Sequence, residues 1–143
     1  MTWTLTTHDT PCPQAAAQVD AGLDAANGRE PALAQVRPLQ VYARDAAGQV
    51  LGGAVGRTWG GCAELQQLWV ADAQRGAGLG TALMRQFEAA AAARGVRLVY
   101  LETFSFQAPA FYARCGYGVA LTIAGFAPGI EKHVFTKALV PTC

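Results

Sequence analysis

The run Arg75-Gly76-Ala77-Gly78-Leu79-Gly80 constrains this chain more than any other stretch. An apolar, strand-like segment, Leu65 to Val70, leads into it. A helix-forming segment, Thr81 to Arg94, leaves it, with Leu79, Leu83 and Phe87 recurring every fourth residue. Gly95 then stands at the helix stop position. A strand, a glycine-rich turn and a helix N-terminus together form an anion site. Backbone without side chains lets several N–H groups converge on one oxygen cluster, and the helix dipole adds partial positive charge. Arg75 contributes a full charge and a planar fork of donors. The expected occupant is a phosphate or pyrophosphate; the bland alternative is a turn built from small residues.

Two familiar phosphate motifs do not fit. A P-loop needs Gly-Lys-Ser/Thr, and here Gly80 is followed by Thr81-Ala82. A dinucleotide fingerprint needs a third glycine where Thr81 stands and a first strand near the domain start.

With 143 residues the chain is expected to form one domain, 1–143, around one core. A net charge of +1 shows no basic excess, so a nucleic-acid partner is not expected. No apolar run approaches twenty residues, so no membrane span is expected. Met1-Thr2-Trp3-Thr4-Leu5 lacks a charged start and an apolar core, so it does not read as a signal peptide, and a cytoplasmic location is expected. Cys12, Cys62, Cys115 and Cys143 are widely spaced with no Cys-x-x-Cys pair, so no metal site and no redox dithiol are expected. Cys115, near a helix end, reads as packing.

The elements follow from turn signals and periodicity. Trp3 to Thr7 reads as a short strand. Asp9-Thr10-Pro11 signals a helix start, and Ala15 to Ala26 carries Val19 and Leu23. A three-strand meander follows: Leu39–Arg44, Gln49–Trp59 and Cys62–Val70, with turns at Asp45–Gly48 and Gly60-Gly61. After the long helix, Val96–Leu101 reads as a buried parallel strand. Pro109 opens a short helix that Gly116 closes, followed by strands Tyr117–Ile123 and Lys132–Leu139 around a Gly125–Gly129 loop. The expected fold is α/β (α+β): a mixed, mostly antiparallel sheet of about six or seven strands, a β-α-β core and about three helices.

Arg75, Gly78 and Gly80 match the Arg/Gln-x-x-Gly-x-Gly/Ala pattern of the GNAT superfamily of acyl-CoA N-acyltransferases, and the element order resembles that fold. A second stretch supports the resemblance: Ala108, Tyr112, Gly116 and Tyr117 match Asn-x-x-Ala-x-x-x-Tyr-x-x-x-Gly-Phe. Ser105 stands where that pattern has Asn, which commonly contacts the pantetheine arm; the shorter hydroxyl makes that contact here or it is absent. The resemblance implies that Arg75, Gly76, Ala77, Gly78, Leu79, Gly80 and Thr81 hold the pyrophosphate of acetyl-CoA. It implies that backbone amides near Leu68, Trp69 and Val70 hold the acetyl carbonyl, with Ser105 and Ala108 along the arm. It implies direct transfer to an amine in a ternary complex, without a metal, by a chain able to form a homodimer. A longer acyl donor is the alternative.

Tyr112 is the candidate general acid. Its hydroxyl is protonated at neutral pH and can supply a proton as a thiolate leaves; the alternative is a core tyrosine. Glu64, eleven positions before Arg75, is the candidate base; the alternative is a solvated charge beside a hairpin. If its strand is regular, Glu64, Gln66, Leu68 and Val70 share a face, a parity that a bulge would break. Glu102, the second carboxylate at a strand end, either faces the acceptor or pairs with an arginine. Trp59 and Trp69 either wall the acceptor site or pack at the core or an edge, His133 is a strand residue, and Arg114 either reaches the nucleotide phosphate or is solvated. The acceptor is a small-molecule or peptide amine. The other readings are a CoA-binding sensor of this fold and an acetyltransferase of protein N-termini or lysines.

Overall fold

A computed structural model describes residues 2–139. The chain divides into two compact units, Met1–Gln35 and Val36–Cys143. In the first, helix α1 spans Pro13–Asn27, with Pro13 in its first turn, where the missing N–H costs nothing. A single 3-10 turn, Pro31–Leu33, follows. Trp3 to Thr7 is not a strand; it carries no ladder. Its alternation suits a strand, but a strand forms only where a neighbouring edge takes up its N–H and C=O groups.

The second unit holds six strands: β1 (Val36–Arg44), β2 (Val50–Trp59), β3 (Cys62–Val70), β4 (Leu98–Phe104), β5 (Gly118–Ala127) and β6 (Ile130–Ala138). Helix α2 (Leu79–Ala93) joins β3 to β4, and α3 (Pro109–Arg114) joins β4 to β5. The sheet order is β1-β2-β3-β4-β6-β5, antiparallel except for the β3/β4 pair. This is the mixed sheet with a β-α-β core expected from the sequence. Gly125 to Ala127, expected in a loop, continue β5, and the register of β5 against β6 shifts between Ile123 and Ala127. Glycine here marks a ladder irregularity, not a strand end. No helix among the described residues is long and apolar enough to cross a membrane.

Helix α2 forms because its apolar residues recur at helical spacing. Leu83, Met84, Phe87 and Ala91 are buried in a cluster with Leu39, Ala54, Leu65, Val99 and Leu101. Full burial of Phe87 contributes on the order of 1.5–3 kcal/mol. At the C-terminus Gly95 takes φ +86°, and the buried Val96 returns its N–H to Ala91 O at 3.1 Å. The same device closes α3: Gly116 has φ +96°, Tyr117 N–H reaches Tyr112 O at 3.0 Å, and the Tyr117 ring is buried. Lys137 then ties α2, α3 and β6 together, donating to Glu88 at 2.7 Å and to Cys115 O at 2.8 Å.

Two departures from a regular sheet shape the site. The first is a bulge in β3. Gly56 pairs with Leu65 and Val55 with Gln67, so Gln66 has no partner. Glu64 therefore shares its face with Gln67 and Trp69, not with Leu68 and Val70, as a regular strand would have it. Gly56 permits this: a Cβ there would run into the Glu64 carbonyl and lie 2.9 Å from Phe87 Cζ. The second is a divergence. The parallel β3/β4 register runs from Cys62–Leu98 to Leu65–Leu101 and stops. Beyond it both strands continue unpaired with each other, leaving a wedge between residues 66–70 and 102–104.

Candidate active site

The turn after β3 presents its main chain outward. Gly76 and Gly78 have φ of +80° and +84°, a conformation that suits glycine, and Gly78 is the N-cap of α2. The helix ladder begins with Ala82 N–H to Gly78 O at 3.0 Å. The N–H groups of Gly76 to Thr81 donate to nothing among the described residues. No acidic residue sits in the first turn of α2 to compete for them. Orphan donors at a helix N-terminus, free of carboxylates, suit a phosphate or pyrophosphate. Arg75 holds the loop shape: its Nε donates to Val70 O at 3.3 Å and lies in an ion pair with Asp72 Oδ1, also at 3.3 Å, while most of its side chain stays exposed.

From this turn a groove of about 670 Å³ runs past Leu68, Val70, Thr81, Phe106, Ala108, Phe111 and Arg114 to Tyr112. Gly80 is needed for its width at one point, because a Cβ there would sit 3.3 Å from Phe111 Cζ. The groove meets a fissure of about 260 Å³ in the β3/β4 wedge, lined by Gln66, Gln67, Leu68, Glu102, Thr103 and Tyr112. Beyond it lies a cavity of about 430 Å³ lined by Glu64, Gln66, Tyr100, Glu102, Phe104 and Lys132. Gln107 lines all three spaces. A path thus leads from an anion cradle, past a tyrosine, to a pocket with two carboxylates.

Tyr112 is 8% exposed, and its hydroxyl has no hydrogen-bond partner among the described residues. Loss of hydration, with a lesser contribution from Cys115, pushes its pKa up to about 12. The group therefore stays protonated at any physiological pH and can donate. Tyr117, by contrast, donates to Glu88 Oε2 at 3.0 Å, and burial followed by the Glu88 charge raises its pKa.

Glu64 is held from one side. Arg57 Nη2 at 3.2 Å and Tyr100 OH at 3.0 Å both donate to its Oε2. Burial and then this carboxylate raise the Tyr100 pKa. Oε1 accepts from no described residue. Glu102 pairs with Lys132 Nζ at 3.4 Å, not with an arginine, and that ammonium lies 4.8 Å from the Phe104 ring and 5.4 Å from Phe126.

Some sequence candidates stand elsewhere. Ser105 Oγ accepts from Glu131 N–H at 3.1 Å and lines none of these spaces. Ala77 and Trp69 do not line them either, Trp69 being 53% exposed on the face shared with Glu64. Trp59 stacks under Arg57 at 5.6 Å. His133 Nδ1 pairs with Thr122 Oγ1 at 2.9 Å. Cys115 is a partly buried thiol whose pKa burial raises, which fits packing. Cys143 lies outside the described residues. Phe111, Tyr100 and Lys132 carry no motif signal, and Phe106 and Gln107 stand in the Thr103–Pro109 run with no role that the run itself assigns; all five become visible only once the turns fold. Among the described residues no group of three or more His, Cys, Asp or Glu is placed to hold a metal.

The family model described as acetyltransferase (GNAT) matches residues 5–117. The chain is 40% identical over 115 residues to a blasticidin-S acetyltransferase of Streptomyces morookaense, covering 78% of this chain and 85% of that one. Its fold matches a crystal structure from Agrobacterium tumefaciens assigned as an acetyltransferase, with a TM-score of 0.87, 27% identity, and 97% and 100% of the two chains covered. It also matches an acetyltransferase from Bacillus cereus, with a TM-score of 0.79, 24% identity, and 94% and 98% covered. The strand–turn–helix cradle, the wedge between β3 and β4 and these matches agree: the chain is an acetyltransferase and belongs to the GNAT family.

Proposed function

We propose that this chain transfers an acetyl group from acetyl-CoA to the amine of a small polar molecule, directly and within a ternary complex. The observation that carries this reading is the continuous path from the free amides of Gly76–Thr81, past the Tyr112 hydroxyl, to the pocket of Glu64 and Glu102. The donor set fits the donor molecule. Orphan N–H groups and Arg75 suit its pyrophosphate, and the apolar walls at Leu68, Val70, Ala108 and Phe111 suit an extended arm. When bound, acetyl-CoA supplies an activated acyl group. The protein's part is placement and proton handling.

The β3/β4 ladder ends at Leu65, and in this reading amide N–H groups of β3 beyond it donate to the acyl oxygen as negative charge develops there. Tyr112 holds its proton in the apolar groove and yields it to the departing sulfur. Glu102 is countered by Lys132 and Glu64 Oε2 by Arg57, so the open Oε1 of Glu64 is the oxygen that attracts the amine and takes a proton from it, directly or through water. A primary alkyl amine has a pKa near ~10, so only about one molecule in a thousand is neutral at pH 7. A carboxylate at the pocket wall addresses both needs, attracting the cation and removing its proton.

The pocket volume of about 430 Å³ suits a small molecule. The identity with a blasticidin-S acetyltransferase makes blasticidin S the first acceptor to test. Purified protein would be incubated with acetyl-CoA and blasticidin S or a panel of small amines, and free thiol and acetylated product followed. Amine-dependent CoA release is expected. Gly78→Asp, which puts a carboxylate into the cradle, is expected to abolish it together with the thermal stabilisation by acetyl-CoA. That stabilisation should be roughly 2.7 kcal/mol at about 100 times the Kd. Tight acetyl-CoA binding with no CoA release for any amine would overturn the catalytic reading.

A further inference from the structure

We propose that the side-chain amide of Gln107 donates a hydrogen bond to a carbonyl oxygen of the acyl donor, at the point where donor groove and acceptor pocket meet. The inference rests on the acetyl-CoA reading above. Gln107 lies in the turn between β4 and α3, where its own N–H returns to Phe104 O at 3.0 Å. Its Oε1 accepts from Phe104 N–H at 2.8 Å and from Thr103 Oγ1 at 3.3 Å. A backbone N–H can only donate, so the atom facing it must be the oxygen, and the amide orientation follows from the chain itself. The Nε2 group, with two donors, is thereby turned away from the turn. It has no acceptor among the described residues.

Those two N–H groups sit on the residue that, alone among the described ones, lines the groove, the wedge and the acceptor pocket alike. Other glutamines nearby are less well placed. Gln66 lines two of these spaces, while Gln67 and Gln74 line one each. No hydrogen bond among the described residues fixes which end of their amides faces inward. Ser105, two residues earlier, is tied to β6 through both Glu131 N–H and Glu131 O. The turn thus offers one oriented donor, and an extended acyl thioester offers carbonyl oxygens to match it. Two sources share that chemistry: an amide carbonyl of the donor's arm and the thioester carbonyl.

Gln107→Glu separates the roles. It keeps an acceptor oxygen for Phe104 and Thr103, so the turn should hold, but it removes both donors and opposes a carbonyl with a carboxylate. The expected result is an unchanged melting temperature with a loss of roughly tenfold or more. If the partner is the arm amide, the loss falls on the affinities for CoA and acetyl-CoA equally. If the partner is the thioester, it falls on kcat while CoA affinity holds. CoA and acetyl-CoA affinities and kcat all within twofold of wild type would overturn the proposal. Should the variant fold poorly, the ¹⁵N side-chain amide resonances of Gln107 in the wild-type protein decide. They should shift and slow their hydrogen exchange on saturation with acetyl-CoA, and unmoved, fast-exchanging signals would overturn it. Failure of the wild type to bind acetyl-CoA at all would instead remove the reading on which this rests.

Discussion

Replacing Tyr112 by Phe removes one oxygen from a side chain that is 8% exposed and whose hydroxyl has no partner among the described residues. Two consequences can be worked out. The first concerns stability. With a folded pKa of about 12 and an ordinary unfolded value near ~10, the folded state keeps the proton while the unfolded chain loses it. The neutral form's contribution is therefore intact below pH ~10 and is lost as pH rises through the folded pKa. At pH 11 about half of it is gone, on the order of 1 kcal/mol, and the full loss approaches about 3 kcal/mol. Phe cannot ionise, so the variant escapes this loss; Tyr100 titrates in both proteins, and the raised pKa of Tyr117, to which Tyr112 adds the least of its several causes, is only slightly relieved in the variant. Urea unfolding at pH 8 and pH 11 should show the wild type losing on the order of 1 kcal/mol more than Tyr112→Phe between the two. The second consequence concerns turnover. Kcat should fall by ~10²–10⁴ while the Kd for acetyl-CoA stays within about twofold. A pH-independent stability difference would show that the phenol is not desolvated. Unchanged kcat, measured where chemistry limits the rate, would return Tyr112 to the core.

Glu64→Gln should lower the rate by roughly 10²-fold near neutral pH, with partial recovery at pH 9 as the amine deprotonates unaided, and should leave acetyl-CoA affinity unchanged. A pH-independent loss in the rate profile would mean that the carboxylate acts by positioning through Arg57 and Tyr100. Gly56→Ala should cost about 1–3 kcal/mol, because the neighbours it meets are the Glu64 carbonyl and Phe87 in the core, and thermal melts should fall by roughly 3–10 °C. Gly22→Ala should do the opposite, raising stability by about 0.5–1 kcal/mol: it lies inside α1 and its added Cβ meets nothing within 4 Å. Equal effects of these two substitutions would contradict the packing argument.

The parts of the fold legible in the sequence are those with a local cause. Strand β3 falls at Cys62–Val70 as expected from the turn before it and the glycines after it. The stops at Gly95 and Gly116 each need a left-handed residue that only the local chain must supply. What was not legible depends on partners distant in sequence. The bulge at Gln66 is set by how Gly56 meets Leu65 across the hairpin, and it reassigns every face downstream. Ser105 is drawn from the groove by Glu131, twenty-six residues later. Gln107 gains its orientation from Phe104 only when the turn closes. Lys132, read only as the start of a last strand, enters the pocket because β6 inserts between β4 and β5.

The turn from Gly76 to Thr81 offers its ligand main chain, whereas the pocket of Glu64, Tyr100, Glu102, Phe104 and Lys132 offers mostly side chains. These two modes of contact age differently under mutation. Outside its glycines, a main-chain cradle is nearly blind to substitution, since any residue but proline at 77 or 81 presents the same N–H. A pocket of side chains is rewritten by each change. The same scaffold can thus exchange one amine for another by drift on β3, β4 and β6 without renegotiating its hold on the acyl donor, so that closely similar chains can diverge in what they modify long before they diverge in what they modify it with.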